Sequence, residues 1–265
     1  MSFVETSNME QRPSRFSRYV LMLLPIATEM STAIFTVISY VIAIRLGKIA
    51  HPPFVPFISD IGDFKPQSSV FSFGLSISAL LSLTVTTVRY FQIKNLYTRC
   101  QKTNDVAFAV GILITVGKYI VASFELSSQI VVHFIGAATF FGGFVIYAFL
   151  QSYITYQIFG KTKIFVVRSV TSCGMLICGI LFTVFLLPSL RVYNEHSWNV
   201  SNGAEWGYAA LKMIYMITFV PDFQGLVPVF YVELIPRGSG SYEDLTEDYV
   251  TVELFKRDEC KITAL

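Results

Sequence analysis

The residue most able to do chemistry is Glu29. It is the only charged residue in the apolar run from Tyr19 to Ile44. That run is long enough to cross a bilayer as a helix, which takes about 20 residues. A carboxylate near its midpoint is disfavoured by about 3 kcal/mol on insertion scales, so it faces protein or a polar cavity rather than lipid. Three other titratable groups inside apolar runs lie at a comparable depth: Lys118, His133 and Lys212. Counted at a rise of about 1.5 Å per residue, all four fall in the central-to-outer slab of the membrane. One acid and two lysines at similar depth predict mutual neutralisation, with Lys118 or Lys212 as the partner of Glu29. Thr32, Thr36, Ser39 and Tyr40 continue the polar stripe of Glu29 along one helix face. Two readings stand side by side. The cluster fixes helix register as a buried ion pair, or it lines a polar cavity for a lipid headgroup, an ion or a proton.

Other chemistry finds little support in the residues. There is no His-Glu-x-x-His, no Gly-x-Ser-x-Gly and no Cys/His zinc spacing. The three histidines are His51, His133 and His196, and a three-histidine metal site would need all of them. No catalytic residue, metal site or cofactor is expected.

These residues are positioned by a membrane domain. Hydrophobic residues make up 53% of the 265-residue chain and charged residues 14%, against about 25% charged in soluble domains. Six apolar stretches occupy roughly 19–44, 69–88, 106–125, 129–156, 165–189 and 204–230. The expected fold is all-α: a six-transmembrane-helix bundle with short loops and a disordered acidic C-terminal tail. Its parts are an N-terminal tail over 1–18, the bundle over 19–235 and a flexible tail over 236–265. Ten basic residues fall on one side: Arg12, Arg15 and Arg18; Arg89, Lys94, Arg99 and Lys102; Lys161, Lys163 and Arg168. Four fall on the other: Arg45, Lys48, Lys65 and Arg191. The positive-inside rule then puts both termini in the cytosol. The Asn199-Val200-Ser201 triplet, a glycosylation sequon, falls on the outer or lumenal side. The polar N-terminal tail and the long first run argue against a cleaved signal peptide.

Small residues at four-residue spacing predict close helix seams at Gly74, Ser78 and Ser82 and at Ala138 and Gly142, with Gly136 and Gly143 beside them. Pro221, followed by Asp222, predicts a break in the sixth stretch whose freed carbonyls need partners. Cys100, Cys173, Cys178 and Cys260 all fall outside the outer loops, so no disulfide framework is expected; Cys100, in a basic loop beside a span, is a candidate for palmitoylation. The tail carries Tyr242-Glu-Asp-Leu245 and Tyr249-Val-Thr-Val252, of the form that trafficking adaptors read, and ends in Thr263-Ala-Leu265.

The first outer loop contains Pro56-Phe-Ile-Ser59-Asp60-Ile-Gly62-Asp63, and the fourth stretch begins His133-Phe-Ile-Gly-Ala. The sixth ends Thr218-Phe-Val-Pro221-Asp222-Phe223. Together these resemble the DRAM family, the six-span damage-regulated autophagy modulators, whose wider group includes regulators of phosphoinositide synthesis and a lipid-anchor-remodelling factor. The resemblance covers about 19–230. It implies an integral protein of lysosomal or other endomembranes or of the plasma membrane, acting in autophagy and lipid or phosphoinositide homeostasis without catalysis. The loop acids read either as part of a rigid lid or as groups that meet Lys212 and His133.

The expected function is therefore that of a non-enzymatic adaptor that recruits or stabilises a lipid-handling complex. Its partners are membrane lipids, including anionic headgroups at the cytosolic face, and a larger protein assembly, with no nucleic acid. The alternatives are a transporter or channel component using the Glu29, Lys118, His133 and Lys212 cluster, and a lipid-remodelling enzyme.

Overall fold

A computed structural model of the chain describes residues 15–49, 55–190, 192–224, 226–228 and 255–257. The flanking tails, His51, Arg191, the linker after Ile235, Cys260 and the three tail motifs lie outside the described residues.

Six long helices carry the fold: α1 (Arg15–Arg45), α3 (Gln67–Leu96), α4 (Gln101–Ser123), α5 (Ile130–Phe159), α6 (Lys163–Ser189) and α7 (Glu195–Ile217). A single turn, α2 (Ile58–Ile61), sits in the loop between α1 and α3. From α3 onward the connections are only three to six residues, so those chain neighbours run antiparallel. The Thr162 side chain caps α6 by accepting from the Phe165 N–H, and Asn194 caps α7 by accepting from Ser197 N–H at 3.0 Å; each satisfies an orphan donor of the first turn. Gly160, at φ 72°, ends α5.

Five of the six, α1 and α3 through α6, are long and apolar enough to cross a membrane by length and composition. The sixth apolar stretch differs from its sequence reading. Its helix begins nine residues earlier, at polar Glu195, and stops at Ile217. The chain then turns into a 3-10 helix at Pro221–Phe223, where proline cannot continue the α-helical ladder. Of the tail, the described residues are Phe255–Arg257 (β2), which pair antiparallel with Leu226–Pro228 (β1).

The helices pack as a ring. α1 lies along α3, α3 along α4, α4 along α5, and α6 along α7; the α5–α6 and α1–α7 seams are thinner. Gly74 explains the closeness of α1 and α3, because a Cβ there would sit 2.1 Å from Phe35 Cβ. Large apolar side chains such as Ile34, Leu80, Ile146, Val170 and Ile180 point outward and are exposed, while Thr28, Ser39, Ser78, Gln151 and Ser172 are buried. Apolar outside and polar inside is the arrangement that a lipid solvent demands. Together with the five apolar helices it makes the chain an integral membrane protein.

Candidate functional site

The interior holds two ionic clusters and a lid. The central cluster is built on α1, α3, α4 and α7. Lys212 Nζ donates to both oxygens of Glu29, at 2.6 and 2.9 Å, and both residues are buried. Lys118, also buried, donates instead to Ser78 Oγ at 2.6 Å and more distantly to Thr32 Oγ1 at 3.4 Å. Ser78 donates its own O–H to the Thr28 carbonyl at 2.8 Å, which locks α3 onto α1. The Phe140 ring faces both ammonium groups, at 5.5 and 5.9 Å, a cation–π contact of the kind that steadies a desolvated ammonium. Of the two candidate partners, Lys212 takes the carboxylate and Lys118 takes the hydroxyl helpers.

A cavity of about 410 Å³ opens beside this cluster. Its wall includes Glu29, Thr36, Lys118, His133, Phe140 and Lys212. The four titratable residues singled out from the sequence therefore border one space. His133 nevertheless has a local partner: its Nδ1–H donates to the Phe124 carbonyl at 2.7 Å, closing the α4–α5 turn.

The lid is the segment from Val55 to Asp63. Side chains of α7 hold its backbone: Asn202 donates to the Val55 carbonyl, Trp206 Nε1 to the Pro56 carbonyl at 2.9 Å, and Glu205 accepts from the Ile58 N–H at 2.8 Å. Asp63 accepts from the Ser127 N–H at 2.7 Å, tying the lid to the α4–α5 turn. Asp63 thus binds backbone rather than Lys212 or His133. Gly62 is required by packing, since a Cβ there would lie 2.3 Å from the Phe71 ring. Ser59 and Asp60 face the cavity. Burial, reinforced by the neighbouring charge of Asp63, pushes the Asp60 carboxyl up to about 6.

The second cluster lies at the opposite end, where α3 turns into α4 and α5 into α6. Arg89 and Arg168, counted from the sequence among the basic residues of the cytosolic loops, are 1% and 0% exposed. This corrects that reading: α3 runs seven residues past Arg89, and α6 begins five before Arg168. Both arginines converge on Asp222 Oδ2, at 3.1 and 2.5 Å. Arg168 also donates to Thr155, to the Thr218 hydroxyl and to the Thr218 carbonyl. Arg89 donates to Gln151 and Gln92, and Gln92 donates to the Asp222 carbonyl. The Thr218 and Asp222 carbonyls, on either side of Pro221, thus find side-chain partners. Phe219 lies against both guanidinium groups, at 5.7 and 4.6 Å. The knot joins α3, α5, α6 and the chain after α7.

Sequence reasoning missed Glu205, Gln92, Gln151 and the arginine partners of Asp222. The available signal was Asp222 itself, an acid at the same predicted membrane side as Arg89 and Arg168. Asn199 is exposed on the second turn of α7. No cluster of His, Cys, Asp and Glu among the described residues has the geometry of a metal site.

Known proteins place this architecture. The chain is 33% identical over 213 residues to human DNA damage-regulated autophagy modulator protein 1, covering 74% of this chain and 87% of the relative. It is 30% identical over 227 residues to human DNA damage-regulated autophagy modulator protein 2, covering 77% and 84%. It is 28% identical over 204 residues to the Xenopus tropicalis modulator of macroautophagy TMEM150B, covering 76% and 85%. No solved structure matches. The profile of the Frag1/DRAM/Sfk1/Cwh43P N-terminal domain matches residues 20–226, which span all six long helices from α1 to α7, and the chain belongs to that family.

Proposed function

We propose that the protein is a six-span membrane regulator of autophagy and of lipid or phosphoinositide handling, working as a non-enzymatic adaptor that docks a larger assembly at its cytosolic face. In this reading α7 is the sixth span, the lid is lumenal or extracellular, both termini are cytosolic and Asn199 is open to glycosylation. The membrane is lysosomal, another endomembrane or the plasma membrane. The names of the relatives, all modulators, support a regulatory role.

The observation that carries the docking surface is the separation of cations at one end of the bundle. Arg89 and Arg168 are withdrawn into the knot, leaving Lys94, Arg99, Lys102, Lys161 and Lys163 exposed. The two turns that bear them meet through the Tyr97–Phe159 ring contact, with centroids 5.7 Å apart. Five cations on a platform braced from beneath suit anionic headgroups, at about 1 kcal/mol each near the surface, or an acidic partner.

Charge reversal of all five residues tests the reading. Native purification of the wild type in mild detergent is expected to bring down a stoichiometric partner, and the reversed variant is expected to lose both the partner and its effect on autophagic flux. A reversed variant that reaches its membrane and sustains flux would contradict it.

A further inference from the structure

The central cavity is not closed on all sides. A groove of about 730 Å³ runs down the thin α5–α6 seam. It shares Phe134, Ala137, Phe141, Phe182, Leu186 and Glu205 with the cavity. Along α5 it extends from Phe134 to Ile146, about 18 Å at helical rise. Small residues make it deep: a Cβ at Gly142 or at Gly179 would meet nothing within 4 Å. Apart from Glu205, Thr183 and Tyr208 the groove walls are largely apolar, while the cavity's inner end is not.

Two features of that inner end call for a ligand. The Thr36 hydroxyl is buried, borders the cavity and has no hydrogen-bond partner. Lys118 also borders the cavity, and Ser78 and Thr32 occupy only two of its three N–H donors. The single carboxylate of Glu29 is engaged by Lys212. With all three groups ionised, the cluster carries one uncompensated positive charge. A monoanion with two acceptor oxygens would answer both the charge and the free donors. The lid end of the cavity offers acids, Asp60 and Glu205, and no further cation for such an ion.

We infer that the cavity and its lateral groove form a binding site for a single-chain membrane carboxylate of the long-chain fatty-acid class, its head at Lys118 and Thr36 and its chain in the α5–α6 groove. This goes beyond the adaptor reading and does not depend on it, since the site faces the bilayer and the docking surface faces the cytosol.

The test uses the purified full-length chain in vesicles of a zwitterionic phospholipid. The probe is a long-chain fatty acid carrying a photoreactive diazirine in its chain, with peptide mapping of the adducts. Labelling is expected on α5 and α6 beside the groove and should be competed by unlabelled fatty acid of the same length. The matching fatty alcohol should compete at least tenfold less well. Lys118→Met should reduce labelling at least tenfold. A Gly142→Leu/Gly179→Leu variant fills the groove without touching the charged cluster and should abolish labelling while keeping a monodisperse fold. That variant keeps the test decisive if Lys118→Met does not fold. Equal competition by alcohol and acid would overturn the assignment of the head. Undiminished labelling in the groove-filled variant would overturn the site, whatever the outcome of the docking experiment.

Discussion

The two buried ionic clusters have similar charge, each with two cations around one carboxylate, yet they are built for different ends. The Arg89–Asp222–Arg168 knot is packed shut rather than fully paired: Gln92, Gln151, Thr155 and Thr218 accept from its arginines and Phe219 lies against them, while Arg89 Nη2 is left without a partner among the described residues. The Glu29–Lys212–Lys118 cluster has a cavity for one wall and leaves Thr36 unpartnered. Enclosure, more than charge, separates a strut from a site. Arginine's five fixed donors suit the first, since they can reach several helices at once. Lysine's compact head on a flexible stem suits the second.

The largest effect is expected from Asp222→Asn, which strands two buried arginines. Breaking a buried ion pair from one side costs about 3–5 kcal/mol, so the variant should melt well below the wild type in mild detergent, or fail to accumulate. Glu29→Gln strands Lys212 in the same way, but water or lipid can reach the vacated group through the cavity. A smaller loss than for Asp222→Asn is expected, at or below the lower end of about 3–5 kcal/mol. Pairing it with Lys212→Met should recover most of that loss, because a matched apolar replacement leaves no unpaired charge. A thermal-stability cycle over the two single variants and the double checks this. Equal losses for Asp222→Asn and Glu29→Gln would erase the distinction between the clusters.

The walls of the central site should also differ from side to side. Gly74→Ala forces a methyl group into Phe35 across the α1–α3 seam and should cost about 1–3 kcal/mol through overpacking. Gly142→Ala points into the open groove and should be neutral or slightly stabilising, since alanine is the better helix former. Melting temperatures of the two variants decide it.

Much of this contrast was legible in the sequence, and the illegible part has a physical cause. Glu29 announces a buried partner because hydrocarbon offers it no solvation, and depth alone brings Lys212 and Lys118 forward. The Gly74–Ser78 spacing likewise marks the α1–α3 seam. Arg89 and Arg168 mislead because hydropathy ends a span at its first strong charge, whereas a helix continues for as long as its backbone bonds are made. Their partner, Asp222, lies 133 and 54 positions away in sequence, so no local pattern announces the knot. His133 shares the predicted depth, yet the nearby Phe124 carbonyl claims its ring nitrogen. Glu205 escapes notice because its partner is a backbone N–H, which no sequence pattern displays.

A gentler effect is expected at the lid. The Asp60 carboxyl titrates higher in the folded protein, at about 6, than in an unfolded chain, near 3.9. Its protonated form therefore favours the docked lid. That contribution is fully present below about pH 4 and is lost as pH rises through about 6. Hydrogen exchange of the Phe57–Ile61 amides should be slower at pH 5 than at pH 7, after correction for intrinsic rates, and Asp60→Asn should remove the difference. The smallest effect belongs to the exposed cations. Reversing Lys94 or Lys163 should change stability by no more than about 0.5 kcal/mol, whereas Arg89→Glu or Arg168→Glu should unfold the basic end. Melting curves of the four variants separate surface charge from knot charge.

The contrast between an open and a closed cluster is tested most directly by cysteine accessibility. In a background with the four native cysteines replaced, Thr36→Cys probes the cavity wall and Thr155→Cys probes the knot, each challenged in folded protein with a small, uncharged, membrane-permeant thiol reagent. Thr36→Cys is expected to react readily and to be slowed by an amphiphile filling the groove, while Thr155→Cys should react only on unfolding. Equal reactivity at the two positions, or a knot cysteine labelled faster than the cavity cysteine, would contradict it.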